Sequence, residues 1–168
     1  IISFSLIIIW QFISLIDSYD SKNKSQLTIY HLKNASVFGL KNKEKVIFNV
    51  YDKVNYNYHI KPHLISFNYI NVEYKTFNFI KVNNFSVLIL SNQKCWPKTD
   101  LEKVNSIILC NNVKLSPKDI KLFPILSMIV LDGSNNSYNI KKTEELCRKF
   151  AIKFYSTKTM GAAQIALK

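Results

Sequence analysis

The sequence predicts an α/β domain, in which short buried strands form a sheet and helices pack against it. Two runs, Ser106–Cys110 and Ser127–Leu131, are almost entirely apolar, as is typical of strands covered on both faces. A third segment, Lys141–Phe150, carries apolar residues at helical spacing and predicts an amphipathic helix. These three segments together favour the α/β class.

The composition fits one folded domain. The chain has 168 residues, of which 48% are hydrophobic, so it is long enough to bury a core and too apolar for a disordered chain. Its net charge is +12. Attraction to DNA or to anionic lipid headgroups explains such a charge, and so does a coding bias toward Lys, Asn and Ile. The charge alone does not choose between the two explanations.

The three cysteines predict neither a disulfide framework nor a metal site. Cys95, Cys110 and Cys147 are odd in number and widely spaced, with no CxxC pair. Cys110 and Cys147 lie in apolar patterns, so we expect both to be thiols of the core.

Residues 1–16 carry no charge and are predicted to be the C-terminal part of a transmembrane helix. Sixteen helical residues cover roughly 24 Å, most of a span that needs about 20 residues. A signal peptide and a buried core helix are the alternatives, although no basic segment or small-residue cleavage site is present. Residues 17–25 then form a polar linker and residues 26–168 a soluble domain. Because the chain begins at Ile1, we interpret it as a fragment or C-terminal piece of a longer protein.

The first half of the soluble domain is predicted to begin with two strands, Gln26–Leu32 and Lys45–Tyr51. Asn34–Leu40 between them is predicted to be a loop or bend. Asp52–Ile70 reads as a short helix or an irregular segment, which Pro62 is expected to interrupt.

A hairpin is predicted next. Val72–Lys81 alternates polar and apolar residues, Asn83–Asn84 forms the turn, and Phe85–Leu90 is the second strand.

The sequence also predicts one short helix and two closing strands in the last third of the chain. Ser116 and Pro117 predict the N-cap and the first residue of a short helix. Ile152–Tyr155 and Ala162–Leu167 are predicted to close the domain as two strands around a turn at Gly161.

The order of elements in the last third resembles a known family. The elements that carry the resemblance are the strands Ser106–Leu109 and Met128–Leu131, the loop residues Gly133, Asn135, Asn136 and Tyr138, the helix Glu144–Phe150, and the closing residues Tyr155, Thr157, Gly161 and Ala162. In this order they resemble the metallo-β-lactamase-like C-terminal domain of the ComEC competence proteins. The resemblance implies a reduced, degenerate metallo-β-lactamase-like domain, preceded by a transmembrane helix.

The same resemblance implies a place in the cell. ComEC proteins are polytopic bacterial membrane proteins linked to DNA uptake. The chain would therefore lie at the bacterial cytoplasmic (inner) membrane, held there by residues 1–16, with its soluble domain on the non-cytoplasmic side. Its partners would be the rest of the same polytopic chain and single-stranded DNA.

The departures from the family's motifs remove its metal chemistry. The family's HHGS-type motif corresponds to Cys110–Val113 here, and its G-H-P motif corresponds to Asn139–Lys141. The H-x-H-x-D-H hallmark is absent from the sequence, although a two-metal hydrolase needs several convergent His and Asp ligands. His59 and His63 share helical spacing but enclose Ile60, Lys61 and Pro62 instead of the H-E-x-x-H pattern. We therefore expect no metal, no cofactor and no metal-dependent nuclease activity.

One polar loop is a candidate residual site. Asp132, Ser134, Asn135 and Asn136 follow a buried strand, at an edge where α/β proteins place ligands. The alternative is turn chemistry, because these residue types satisfy local backbone groups. No histidine lies near this loop in sequence to act as a base, and an enzyme that used the loop would do so in a metal-free way.

An aromatic and basic stretch is the candidate DNA contact. Lys53, Tyr56, Tyr58, Lys61 and Lys75 combine base-stacking rings with lysines that follow phosphates. The alternative is that tyrosines form sheet and solvated lysines separate them.

The sequence thus favours the non-catalytic C-terminal domain of a ComEC-like protein that contacts DNA or braces a channel. A membrane-anchored binding or structural module unrelated to competence is the alternative, and a metal-free enzyme using the Asp132 loop is a weaker one.

Overall fold

The computed structural model describes residues 6, 9–13, 25–42, 45–49, 56–66, 71–93 and 100–167. Within them the strands are β1 (Ser25–Ile29), β2 (Phe38–Asn42), β3 (Lys45–Phe48), β4 (Asn71–Tyr74), β5 (Phe79–Val82), β6 (Phe85–Leu90), β7 (Ser106–Leu109), β8 (Met128–Leu131), β9 (Lys153–Ser156) and β10 (Ala163–Leu167). The helices are α1 (Lys61–Ser66), α2 (Pro117–Ile120), α3 (Ser137–Lys149) and α4 (Thr157–Met160), with a π-helical turn at Tyr56–Ile60 and a 3₁₀ turn at Leu101–Lys103.

The strands form two five-stranded sheets. Sheet A has the order β10-β1-β2-β3-β4, and its pairs are antiparallel except for β3 with β4. Sheet B has the order β5-β6-β7-β8-β9, and β6 to β9 are parallel. Because β7, β8 and β9 run in one direction, their carboxyl ends meet at one edge of sheet B, which we call the polar edge.

Three apolar clusters show how the sheets and helices are layered. Side chains such as Ile29, Val87 and Ile108 fill the space between the two sheets. A second cluster joins the outer face of sheet B to α2 and α3. A third joins sheet A to α1 and the π-helical turn. The order of layers is therefore helix, sheet, sheet, helix, and the α/β class is confirmed.

Several predicted elements are confirmed. The buried strands at β7 and β8 and the hairpin of β5 and β6 occur where expected. Ser116 caps α2 with a full capping box, since its hydroxyl accepts from Asp119 N while the Asp119 carboxylate accepts from Ser116 N.

The predicted loop over Asn34–Leu40 is wrong in its second half, because Phe38–Asn42 forms β2. Gly39 suggested a bend, but it lies in the strand because the ring of Phe48 occupies the place of a side chain. A Cβ on Gly39 would lie 2.9 Å from Phe48 Cε1.

One predicted strand and one predicted pairing are also wrong. The strand predicted over Val72–Lys81 is interrupted, since β4 belongs to sheet A and β5 to sheet B. The predicted closing hairpin does not form, because β9 pairs with β8 while β10 pairs with β1. In both places the chain passes from one sheet to the other, which strand alternation alone does not reveal.

Pro62 lies just after the point where the π-helical turn Tyr56–Ile60 passes into α1, so the helical run continues through it but changes its hydrogen-bond pattern there. A proline inside a helical run removes one backbone donor, and a single π-helical turn is a usual way for a helix to accommodate such a change.

Residues 9–13 are helical, with Trp10 71% exposed. None of the helices in the described part of the chain is long and apolar enough to cross a membrane. Most of the predicted span at residues 1–16, and the linker up to residue 24, lie outside the described residues.

Tyr30 and His63 join α1 to sheet A. The Tyr30 hydroxyl lies 2.7 Å from His63 Nδ1, and the two rings meet edge to face with centroids 5.6 Å apart. Burial lowers the pKa of His63 below its usual 6.5, because the charged imidazolium loses hydration.

This burial predicts a loss of stability in acid. The unfolded chain takes up the His63 proton at a higher pH than the folded chain does, so the free energy of unfolding should fall as the pH drops from about 7 to about 5. Urea unfolding at a series of pH values measures this slope. His63→Gln should flatten it, whereas His59→Gln, at an exposed position of the π-helical turn, should keep it. Equal slopes in wild type and His63→Gln would refute the assignment.

Candidate functional site

The polar edge begins where β7, β8 and β9 end side by side. Leu109 pairs with Leu131, and Leu131 pairs with Ser156. The next residues, Cys110 and Asp132, therefore open two neighbouring loops. Parallel register brings together residues that are far apart in the sequence.

Asp132 lies at the centre of this edge and is fully buried. Its Oδ1 accepts hydrogen bonds from Ser134 N at 3.1 Å, Ser134 Oγ at 2.5 Å and Asn135 Nδ2 at 3.0 Å. These contacts close the loop on itself, as is usual for Asp in turns. Among the described residues, no hydrogen-bond partner is found for Asp132 Oδ2, Ser156 Oγ or Thr157 Oγ1.

Asn135 joins the loops that follow β7 and β8. Its Nδ2 donates to Leu109 O at 2.7 Å and to Asp132 O at 3.2 Å. Its Oδ1 accepts from Asn112 N at 3.2 Å and from Asn139 Nδ2 at 3.0 Å. Only 2% of Asn135 is exposed, so these bonds replace the water that the amide loses on folding.

Two further asparagines extend the connection to α3. Asn136 caps the helix, because its Oδ1 accepts from Asn139 N at 2.8 Å, and its own N donates to Asn112 Oδ1 at 2.7 Å. Asn139 Nδ2 donates to Val113 O at 3.1 Å. We call Asn112, Asn135, Asn136 and Asn139 the asparagine network.

The loop after β7 adopts a conformation that suits asparagine. Asn111 and Asn112 have φ values of 52° and 61°, in the left-handed region that asparagine tolerates better than most residues. Asn111 N donates to Ser134 Oγ at 2.6 Å, and Ser36 Oγ lies 3.3 Å from the same oxygen. Ser134 thus joins the loop after β7 to the connection between β1 and β2.

Gly133 brings the edge against sheet A. A Cβ at this position would lie 1.9 Å from the carbonyl oxygen of Leu32, so only glycine fits. Asn34 N donates to Gly133 O at 3.2 Å. The loop after β8 is therefore packed backbone against backbone.

The two described cysteines are buried, as predicted, and are poor nucleophiles. Burial, reinforced by the charge of Asp132, raises the pKa of the Cys110 thiol far above its usual range. Burial likewise raises the pKa of Cys147 to about 12. Since the thiolate is the reactive form, neither thiol is activated. Cys95 lies outside the described residues.

The structure brings the residues of the predicted polar loop together, but they differ in their exposure to solvent. Asp132 and Asn135 are buried, Ser134 is partly exposed and Asn136 is exposed. The sequence interpretation missed Asn111, Asn112 and Asn139 as partners of this loop. The paired asparagines directly after a buried strand were the signal that could have found them.

The predicted DNA-contacting residues are only partly described. Tyr58 is 77% exposed on the π-helical turn, and Lys61 and Lys75 are also exposed. Lys53 lies outside the described residues, and for Tyr56 only the backbone is described.

The histidines do not converge on the asparagine network. His63 contacts Tyr30, while His31 and His59 are exposed. In the described part of the chain, no group of three or more His, Cys, Asp or Glu side chains is arranged to hold a metal ion.

The fold and this edge define a mixed α/β domain whose strand-end loops are joined by side-chain amides. The family described as the ComEC C-terminal domain matches residues 27–167. The chain belongs to the ComEC C-terminal domain family, which is consistent with involvement in competence and DNA uptake and suggests a membrane protein. Comparisons with curated proteins and with solved structures gave no match.

The asparagine network predicts a sharp contrast between two adjacent isosteric changes. Asn135→Asp puts a carboxylate oxygen against Leu109 O and Asp132 Oδ1, so it should lower the free energy of unfolding by about 3 kcal/mol. Asn136→Asp keeps a good cap at a helix N-terminus and should change it by less than about 0.5 kcal/mol. Urea unfolding at neutral pH measures both. Equal effects would show that Asn135 does not need its amide hydrogens.

Proposed function

We propose that this chain is the non-catalytic, metallo-β-lactamase-like C-terminal domain of a ComEC-like membrane protein, and that it contacts DNA or braces the channel during uptake. The family supports the link to competence. The helix–sheet–sheet–helix order of layers supports the metallo-β-lactamase-like architecture.

The observation that carries the non-catalytic proposal is the bond between two loops. The segment in place of the HHGS-type motif, Cys110–Val113, is joined to the segment in place of G-H-P by Asn139 Nδ2 and Val113 O, 3.1 Å apart. Amides and backbone groups therefore occupy the positions from which the family's motifs would present ligands. A side-chain amide does not activate water, and it neither takes up nor releases a proton at neutral pH.

The Asp132 loop offers no alternative catalyst of its own. Asp132 Oδ1 is used by Ser134 and Asn135, and the thiol of Cys110 is kept protonated. Ser134 Oγ bonds to the Asp132 carboxylate, whose Oδ1 also accepts from Ser134 N and Asn135 Nδ2, an arrangement typical of a closed turn.

The placement at the membrane is part of the same proposal. Residues 1–16 would anchor the domain at the bacterial inner membrane, with the domain on the non-cytoplasmic side and the rest of the polytopic chain as its partner. The uncharged composition of that segment supports the anchor. The net charge of +12 and the exposed Tyr58, Lys61 and Lys75 support contact with DNA.

We predict that the 168-residue chain, purified in detergent, does not cleave single- or double-stranded DNA with added zinc or manganese. Gel analysis of labelled DNA, with and without EDTA, measures this. EDTA-sensitive cleavage that is lost in Asp132→Asn would contradict the proposal, because a contaminating nuclease would be unaffected by that substitution.

We also predict salt-sensitive binding of single-stranded DNA. Replacing both Lys61 and Lys75 by Gln should reduce the slope of log K against log salt by about 0.7 for each lost phosphate contact. Fluorescence anisotropy with a labelled oligothymidine measures the slope. Binding no tighter than that of an unrelated protein with the same net charge would exclude a DNA-binding role.

A further inference from the structure

A small basic cavity lies beside the asparagine network, at the start of α3. Its volume is about 170 Å³. The residues that line it are Lys114, Leu115, Tyr138, Asn139, Lys142 and Thr143. Two of these side chains are cationic and none is acidic, so the cavity favours an anionic group.

Tyr138 and Lys142 form the wall of this cavity on α3. Lys142 Nζ lies 5.5 Å from the centroid of the Tyr138 ring, four residues away along the helix. Tyr138 is 62% exposed, which leaves ring surface open to a ligand. Glu144 on the same helix bonds to Arg148 at 2.9 Å, so its charge is engaged away from the cavity.

The backbone of the opposite wall is held by hydrogen bonds from side chains. Gln93 fixes Lys114, because its Oε1 accepts from Lys114 N at 2.7 Å and its Nε2 donates to Lys114 O at 3.0 Å. The residue before Lys114 is Val113, whose carbonyl accepts from Asn139, the residue after Tyr138. One buried amide therefore fixes the spacing between Lys114 and Tyr138.

We infer that this cavity is a base-stacking and phosphate-binding subsite for single-stranded DNA. Tyr138 would stack on one base, and Lys114 and Lys142 would contact the phosphates on either side of it. The inference rests on the proposed DNA-binding function and adds a location to it. Because the backbone on both sides of the cavity is already held by hydrogen bonds, binding of the strand has to order only the contacting side chains.

A larger cavity in the described part of the chain has a different character. It measures about 470 Å³ beside β5, and Asp100 in its wall pairs with Lys103 at 2.5 Å. One of its two lining lysines, Lys103, is therefore partly neutralised, whereas the lysines at Tyr138 have no carboxylate among the lining residues.

The test uses the full chain in detergent and two labelled probes, an oligothymidine of about 12 nucleotides and an abasic strand of the same length. Tyr138→Ala should weaken oligothymidine binding about tenfold and leave binding of the abasic strand unchanged, because only bases stack. Tyr138→Phe should bind as wild type does. Lys142→Gln should weaken binding of both strands and reduce the salt slope by about 0.7.

Lys149→Gln is the matched control, since it removes the same charge from the far end of the same helix and should leave both affinities unchanged. If wild type binds oligothymidine but Tyr138→Ala binds it equally well, the subsite is refuted and the proposed function stands. If wild type binds no better than a protein of equal charge, the proposed contact with DNA is refuted and the subsite with it. Tyr138 is exposed, so circular dichroism should show that each variant is folded.

Discussion

The contact between Gly133 and Leu32 is the constraint on which the polar edge depends. A Cβ at Gly133 would lie 1.9 Å from Leu32 O, and Asn34 N donates to Gly133 O. Leu32 belongs to the cluster beneath α1, while Leu131, two residues before Gly133, belongs to the cluster beneath α2 and α3. This close approach joins the two halves of the domain at the polar edge, and the contact between Ser36 and Ser134 lies beside it.

The asparagine network holds neighbouring loops together, as a bound metal ion does in many hydrolases. Loops that follow parallel strands begin at the same edge of the sheet. The hydrogen bonds between strands do not continue into these loops, because their backbone groups no longer pair with one another. A metal ion joins such loops through its ligands. Here Asn135 and Asn139 join them through buried amides. Asn135 donates to Leu109 O and accepts from Asn112 N, while Asn139 donates to Val113 O.

The sequence predicted β7 and β8 correctly because strands covered on both faces must be apolar throughout their length. It failed at β2, where the strand tolerates Gly39 only because the ring of Phe48 lies against it. It also began α3 four residues late, although Asn136 is a regular N-cap, because the apolar spacing becomes regular only further along. The Asp132 loop was predicted from turn residues, but its partners Asn112 and Asn139 depend on strand register and helix position, which local patterns do not contain.

A domain whose loops are joined by amides can bind without reacting. Catalysis needs groups that change charge or coordinate an ion, whereas stacking and phosphate contact need only fixed positions. Asn139 fixes Tyr138 relative to Val113 and hence to Lys114, and it does so with a buried bond that neither salt nor neutral pH weakens. The bond between Asn139 and Val113 thus holds the wall of the neighbouring cavity in place, and a wall held in this way is what the proposed binding there requires.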